Sequence, residues 1–307
     1  MNDSAPNRQR ESRPAAWVRA LAALPLGWLY GLGAFLAFLA YRVTPYRPHV
    51  VRENLAIAFP DLDEPALRRI ARDYYRGFAQ VLMEVVKTAG LTREELSARV
   101  TMCNLDEVRR HFAEGRSVVV LAGHQCNWEW MLLALSIDLG APVDAAYKPL
   151  VNDWAEREML KMRTRFGARM VPADELLGDI IKRSRVVRAI ALVADQEPKS
   201  SEHKQWVRFL NRDSAFFVGP EEICRVTGLP AFFMAMRRTG RGRYEITFEP
   251  LVAAREKVAP GGITQRYAER VERQIREAPA DWPWSHKRWR LRRPLYGGRT
   301  PRAQPDA

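Results

Sequence analysis

Two short runs, SVVVLA at residues 117–122 and AIALVA at 189–194, are apolar at consecutive positions rather than at alternate ones. Side chains along a strand point alternately to its two faces, so a strand without a polar face must be covered on both. Residues 64–87 show the other period, with apolar side chains at helical spacing and Arg and Asp between them. The pattern predicts further helices at 94–100, 106–114, 127–139, 155–166, 220–227 and 263–277. Strands are predicted at 143–147, 231–236 and 243–249 beside the two apolar runs. Strands thus alternate with helices, which predicts an α/β fold: a central mixed sheet flanked by helices. No repeat of fixed period is visible.

Residues 20–41 carry no charge over 22 positions. As one helix they would reach about 33 Å, enough for a bilayer core of roughly 30 Å. Arginines precede and follow the run, and Trp17, Trp28, Tyr30 and Tyr41 are of the interfacial type. The stretch is too long for a signal peptide and lacks a small-x-small site. A membrane-anchor helix over 15–44 is therefore expected. Two alternatives are a buried core helix and a hairpin broken at Pro25, helped by Gly27, Gly31 and Gly33. The rest divides into a basic disordered start (1–14), a catalytic body (45–293) and a disordered polar tail (294–307).

A mean hydropathy of −0.33 excludes a polytopic membrane protein, and three scattered cysteines exclude a disulfide scaffold or a Cys-based zinc site. That cysteine use fits a catalytic body facing the cytosol. The net charge of +13 points to a polyanionic partner: an anionic membrane, an acidic carrier protein or nucleic acid. No P-loop, no G-x-S-x-G elbow and no H-E-x-x-H occurs, and the five histidines do not cluster. Nucleophilic serine or zinc hydrolysis is thereby disfavoured, and no metal is expected.

What remains is VVVLAGHQCNWEW at 118–130. His124 lies just past a predicted buried strand, at the edge where open α/β sheets present ligand sites. Glu129 follows five positions later. On one continuous helix that spacing separates two side chains by about 140°, so the pair meets only if His124 sits in the turn before the helix. A carboxylate on one ring nitrogen would fix the tautomer and leave the other nitrogen as a base for a hydroxyl. The plainer reading is a helix-entry histidine beside a solvated glutamate. Asn127 reads equally as a pocket residue and as the helix N-cap.

G-H-x-x-N-W-E after an apolar strand resembles the H-x4-D/E motif of glycerolipid-type acyltransferases, and more closely the lipid A late acyltransferases of the lauroyl/myristoyl type. The resemblance extends over most of the chain. It includes NLAIAFP at 54–60, Tyr147-Lys148-Pro149, Arg163-Thr164-Arg165-Phe166-Gly167, Asp195-Gln196, Gly219-Pro220 and Trp282 through Trp289. It implies transfer of a fatty acyl group from acyl carrier protein, or from coenzyme A, to a hydroxyl of a lipid A precursor or related glycolipid. The setting implied is the cytoplasmic face of a bacterial inner membrane. By position His124 would be the general base and Glu129 its partner. Arg163 or Arg165 would steady an oxyanion or a lipid phosphate, and Lys148 would touch phosphate. Asp195 would take the second acidic position, with Asn127 in support. No cofactor beyond the acyl donor is implied.

Asp195-Gln196-Glu197-Pro198 stands where the lipid A enzymes carry a short D-x-D/Y-G-like turn. That leaves other acceptors open: an amino lipid, a phosphoglycolipid or an aryl polyene. Rivals from other classes are an anchored nucleic-acid-binding protein, for which no recognition motif is present, and a catalytically silent scaffold. The basic run at 286–293, with Trp284 and Trp289, reads as a solvated tail, a membrane contact or a carrier-protein contact.

Overall fold

The computed structural model describes residues 14–293. The tails expected to be disordered lie outside these residues, save for Pro14. In chain order the helices are α1 (Ala16–Ala23), α2 (Leu26–Phe38), α3 (Pro48–Ala58), α4 (Glu64–Lys87) and α5 (Arg93–Ser97). There follow β1 (Val100–Cys103), α6 (Leu105–Ala113), β2 (Val118–Ala122), α7 (Trp128–Asp138), β3 (Val143–Tyr147) and α8 (Asp153–Arg163). Next come β4 (Arg169–Pro172), α9 (Leu176–Lys182), β5 (Ala189–Val193), β6 (Lys204–Phe209) and β7 (Arg212–Phe217). The last are α10 (Gly219–Thr227), β8 (Ala231–Gly240), β9 (Arg243–Val252) and α11 (Gly262–Glu277).

Seven strands form one mixed sheet in the order β1-β9-β8-β2-β5-β3-β4, with only β8 and β9 antiparallel. The consecutive apolar residues of β2 and β5 serve both faces. Val119, Leu121, Ile190 and Leu192 enter one core, with α11 and the β6–β7 hairpin; Val118, Val120, Ala122, Ala189 and Ala191 enter the other, with α7. Both central strands are parallel, and their register pairs Ala122 with Val193. Whatever follows these two residues therefore leaves the sheet side by side.

The uncharged N-terminal run is not one helix. It breaks at Leu24 and Pro25, whose backbones are extended (ψ 145° and 142°). Proline has no N–H to continue α1 but serves well at the start of α2. Beyond the break the helix continues for 18 residues from Leu26 to Val43, its last turn a π-helix. Its length is about 27 Å, slightly under the hydrocarbon thickness of a bilayer. One stripe packs on α4: Leu29, Tyr30, Gly33 and Ala37 are buried. A Cβ at Gly33 would stand 3.0 Å from Met83 and 3.2 Å from the Ala79 carbonyl, so only glycine lets the helices approach this closely. The opposite stripe is open, with Trp28 75% exposed and Phe35 and Phe38 each 57%.

Candidate active site

The turn between β2 and α7 carries the G-H-x-x-N-W-E segment. Asn127 caps α7, its side chain accepting from the Trp130 amide at 2.9 Å, while its own amide donates to Glu84 at 2.8 Å. The left-handed residue of the turn is Cys126 (φ 54°). His124 thus lies before the helix and Glu129 in its first turn, as the spacing requires.

The carboxylate that His124 meets is Asp195. His124 Nδ1 lies 2.5 Å from Asp195 Oδ1, and the His124 backbone N–H donates to Oδ2 at 3.0 Å. The strand register is the cause: Ala122 pairs with Val193, and residues 124 and 195 each stand two positions beyond. Trp282 Nε1 also donates to Asp195 Oδ2, at 2.8 Å. Burial alone would raise the Asp195 carboxyl. The imidazole beside it and the three hydrogen bonds outweigh that, holding it at about 2. An ionised carboxylate at Nδ1 selects the tautomer protonated there, which leaves Nε2 with its lone pair. The His124 side chain is 17% exposed, so the imidazole is partly open.

Glu129 takes a different partner from the one expected. Arg163, at the end of α8, grips it in a two-point pair, Nε to Oε2 at 2.8 Å and Nη2 to Oε1 at 2.6 Å. Trp128 Nε1 adds a third hydrogen bond at 3.1 Å, and the Trp128 ring meets His124 edge-on at 5.2 Å. The planar fork of Arg163 is held rigidly by a nearly buried acid. The correction to the expected dyad is thus one of pairing: His124 goes with Asp195, Glu129 with Arg163. Both pairs converge on the β2–α7 turn.

Two predicted anion-binding residues are engaged elsewhere. Arg165 donates to the carbonyls of Ala89 and Leu91 at 2.9 and 3.0 Å, tying the end of α8 to the segment after α4. Lys148 is half-exposed, bonded to Glu202 at 2.9 Å and poised over the Phe217 ring. The segment after α11 supplies residues whose contacts with this site were not read from the sequence. Beside Trp282, His286 accepts from the Glu197 amide at 3.3 Å, and burial lowers its pKa to about 4, so it is neutral. Its one legible signal was the Trp-rich motif already noted. Burial raises the Cys126 thiol well above the usual range and Cys224 to about 12, which leaves neither as a thiolate nucleophile. Among the described residues no cluster of His, Cys, Asp and Glu suits a metal ion.

The sequence matches a family described as bacterial lipid A biosynthesis acyltransferase over residues 12–291. Among curated proteins it is similar to a lipid A biosynthesis lauroyltransferase of Escherichia coli (strain K12). The two are 24% identical over 274 residues, covering 88% of this chain and 87% of that one.

Proposed function

Because the chain belongs to the bacterial lipid A biosynthesis acyltransferase family and is an acyltransferase, we propose that it moves a fatty acyl group from acyl carrier protein to a hydroxyl of a lipid A precursor or related glycolipid, with His124 as general base. The pairing of His124 with Asp195 at neighbouring strand ends carries this reading. Nε2 takes the proton of the acceptor hydroxyl as its oxygen attacks the thioester carbonyl. The oxygen of the resulting tetrahedral centre bears the negative charge, and Arg163, fixed by Glu129, supplies the positive donor. The C–S bond then breaks, and the leaving thiolate receives the proton from the imidazolium. A thioester is reactive enough that no acyl-enzyme is required. The net charge of +13 suits both an acidic carrier protein and a phosphorylated acceptor at an anionic surface.

Purified enzyme is to be given acyl carrier protein or coenzyme A carrying the same acyl chain, with a lipid A precursor, and products read by mass spectrometry. Ester formation preferring the carrier protein is the expected result. Acylation of an amino lipid or other glycolipid, with none of the lipid A precursor, would replace the acceptor. Strict preference for coenzyme A would replace the donor.

The same reading places the enzyme on the cytoplasmic face of the inner membrane. The open stripe of α2 lies in the bilayer while the opposite stripe stays on α4. Replacing Trp28, Phe35 and Phe38 together by serine removes apolar surface that touches no protein core. The variant is expected to move from the membrane pellet to the supernatant with its melting temperature near that of the parent. Unchanged pelleting would assign the attachment to another surface.

A further inference from the structure

In the basic run after Trp284, one arginine is not on the surface. Arg288 is fully buried, and none of its three guanidinium nitrogens has a hydrogen-bond partner among the described residues. A buried cation without hydrogen bonds is costly, and such groups are rarely retained without a compensating charge. Arg288 is held by rings: its guanidinium lies 4.5 Å from the centroid of Phe216 and 5.4 Å from that of Phe209. Phe209 meets Trp282, whose indole donates to Asp195. Phe216 meets Tyr267, whose hydroxyl donates to the Ala122 carbonyl and accepts from the Ala194 amide, one residue before Asp195. The ring cage therefore seats the cation under the turn that carries Asp195.

We propose that Arg288 is a positioning residue of the acyl-transfer site, its unbonded charge counterbalancing the buried Asp195 carboxylate and disfavouring protonation of His124. The proposal rests on the reading of His124 as the base.

Other groups share this region. His124 faces Asp195 and the Trp128 ring. Asp195 is hydrogen-bonded to His124 and Trp282, and its charge is felt by the Tyr267 hydroxyl and the Arg288 guanidinium. Glu197 opposes Arg288 from the same loop, but Arg290 and the Leu291 amide already occupy its oxygens at 3.0 and 2.8 Å. His286 is neutral, and Arg288 is among the charges that keep it so. Tyr267 is buried and its hydroxyl stays protonated. Arg288 and Asp195 are thus the two permanent charges that this pocket leaves for one another. The guanidinium makes no hydrogen bond to the described residues, so field rather than contact is its means of action.

The test is Arg288→Met. Methionine suits a cage of phenyl rings and forfeits no hydrogen bond. Removing a positive neighbour makes the imidazole easier to protonate, so the acid limb of the pH profile of kcat/KM moves to higher pH. The expected shift is about one pH unit, the scale of one nearby charge in a protein interior. Arg288→Lys keeps the charge and is expected to keep the limb. A folded Arg288→Met whose acid limb has not moved overturns the proposal, since a purely structural role alters stability without altering that limb.

A second readout needs no activity. In a melting cycle with Asp195→Asn, each single variant leaves one buried charge unbalanced, and the double variant leaves neither. The double is therefore expected to melt above the sum of the single losses. Additive losses overturn the proposal. Should Arg288→Met alone fail to fold, folding of the double variant supports the charge pairing, and its failure overturns it. If His124 proved not to be the base, the pH limb would lose its meaning while the melting cycle would still report on the pair.

Discussion

Asp195→Asn is expected to lower turnover by about a thousandfold while the sheet stays folded. The reason lies in how few oxygens an amide offers. Asp195 Oδ2 accepts from two donors, the His124 amide and the Trp282 indole, whereas Oδ1 faces the His124 ring. An asparagine satisfies the two donors only by turning its oxygen toward them, which presents its NH2 to Nδ1. That nitrogen must then accept, and the ring proton moves to Nε2. A base protonated at the working nitrogen cannot take a proton from an alcohol. Loss of a positioned base typically costs 10²- to 10⁴-fold, and loss of the orienting carboxylate in a serine protease falls at the upper end of that range. His124→Ala should cost about as much, and the double variant little more, because the pair acts as one unit. Single-turnover acyl transfer measured across pH checks this. Turnover of Asp195→Asn within tenfold of the parent would remove Asp195 from the mechanism.

The five strands expected from the sequence are present because each is buried on at least one face and its period survives in the local pattern. Those that were missed lie at edges or under charge. β1 and β4 are half-exposed four-residue strands at the two ends of the sheet. The β6–β7 hairpin is interspersed with Lys, Arg and Asp, and turns through left-handed Leu210 and Asn211 (φ 48° and 65°) rather than a glycine. The site divides in the same way. His124 before the helix and Glu129 within its first turn were legible, since a turn is local. The choice of Asp195 over Glu129 as the imidazole's partner was not, because it depends on β2 and β5 being neighbours in a given register, across 71 positions of sequence. Arg288 fails more instructively. Composition places it in a cationic tail, yet Phe209 and Phe216, far back in the chain, enclose it. A break at Pro25 was weighed from the sequence, and the structure decides for it.

Glu84→Leu is expected to destabilise the protein by about 4 kcal/mol and to lower its melting temperature by about 10 °C. Glu84 is fully buried in α4 and accepts from three donors on three different elements: Tyr30 of α2 at 2.8 Å, Asn127 before α7 at 2.8 Å and Tyr244 of β9 at 2.6 Å. Each donor left without an acceptor costs about 1–3 kcal/mol, and removing the buried carboxylate returns part of that sum. Tyr244 also accepts from Arg238, whose guanidinium is fixed by Asp281 at 2.9 Å, so the loss spreads to an ion pair. Tyr30→Phe removes a single donor and should cost about 1 kcal/mol in the parent. In the Glu84→Leu background it should cost nothing or stabilise, because the orphaned hydroxyl is gone. The functional consequence follows from Asn127, the cap of the helix that carries Glu129. The same carboxylate that steadies this cap also fastens the helix whose outer stripe is exposed. Thermal melts of the two single variants and the double in detergent provide the check. A Glu84→Leu protein melting within about 2 °C of the parent would show that Tyr30, Asn127 and Tyr244 find other partners, and that α2 and the active-site turn do not share this support.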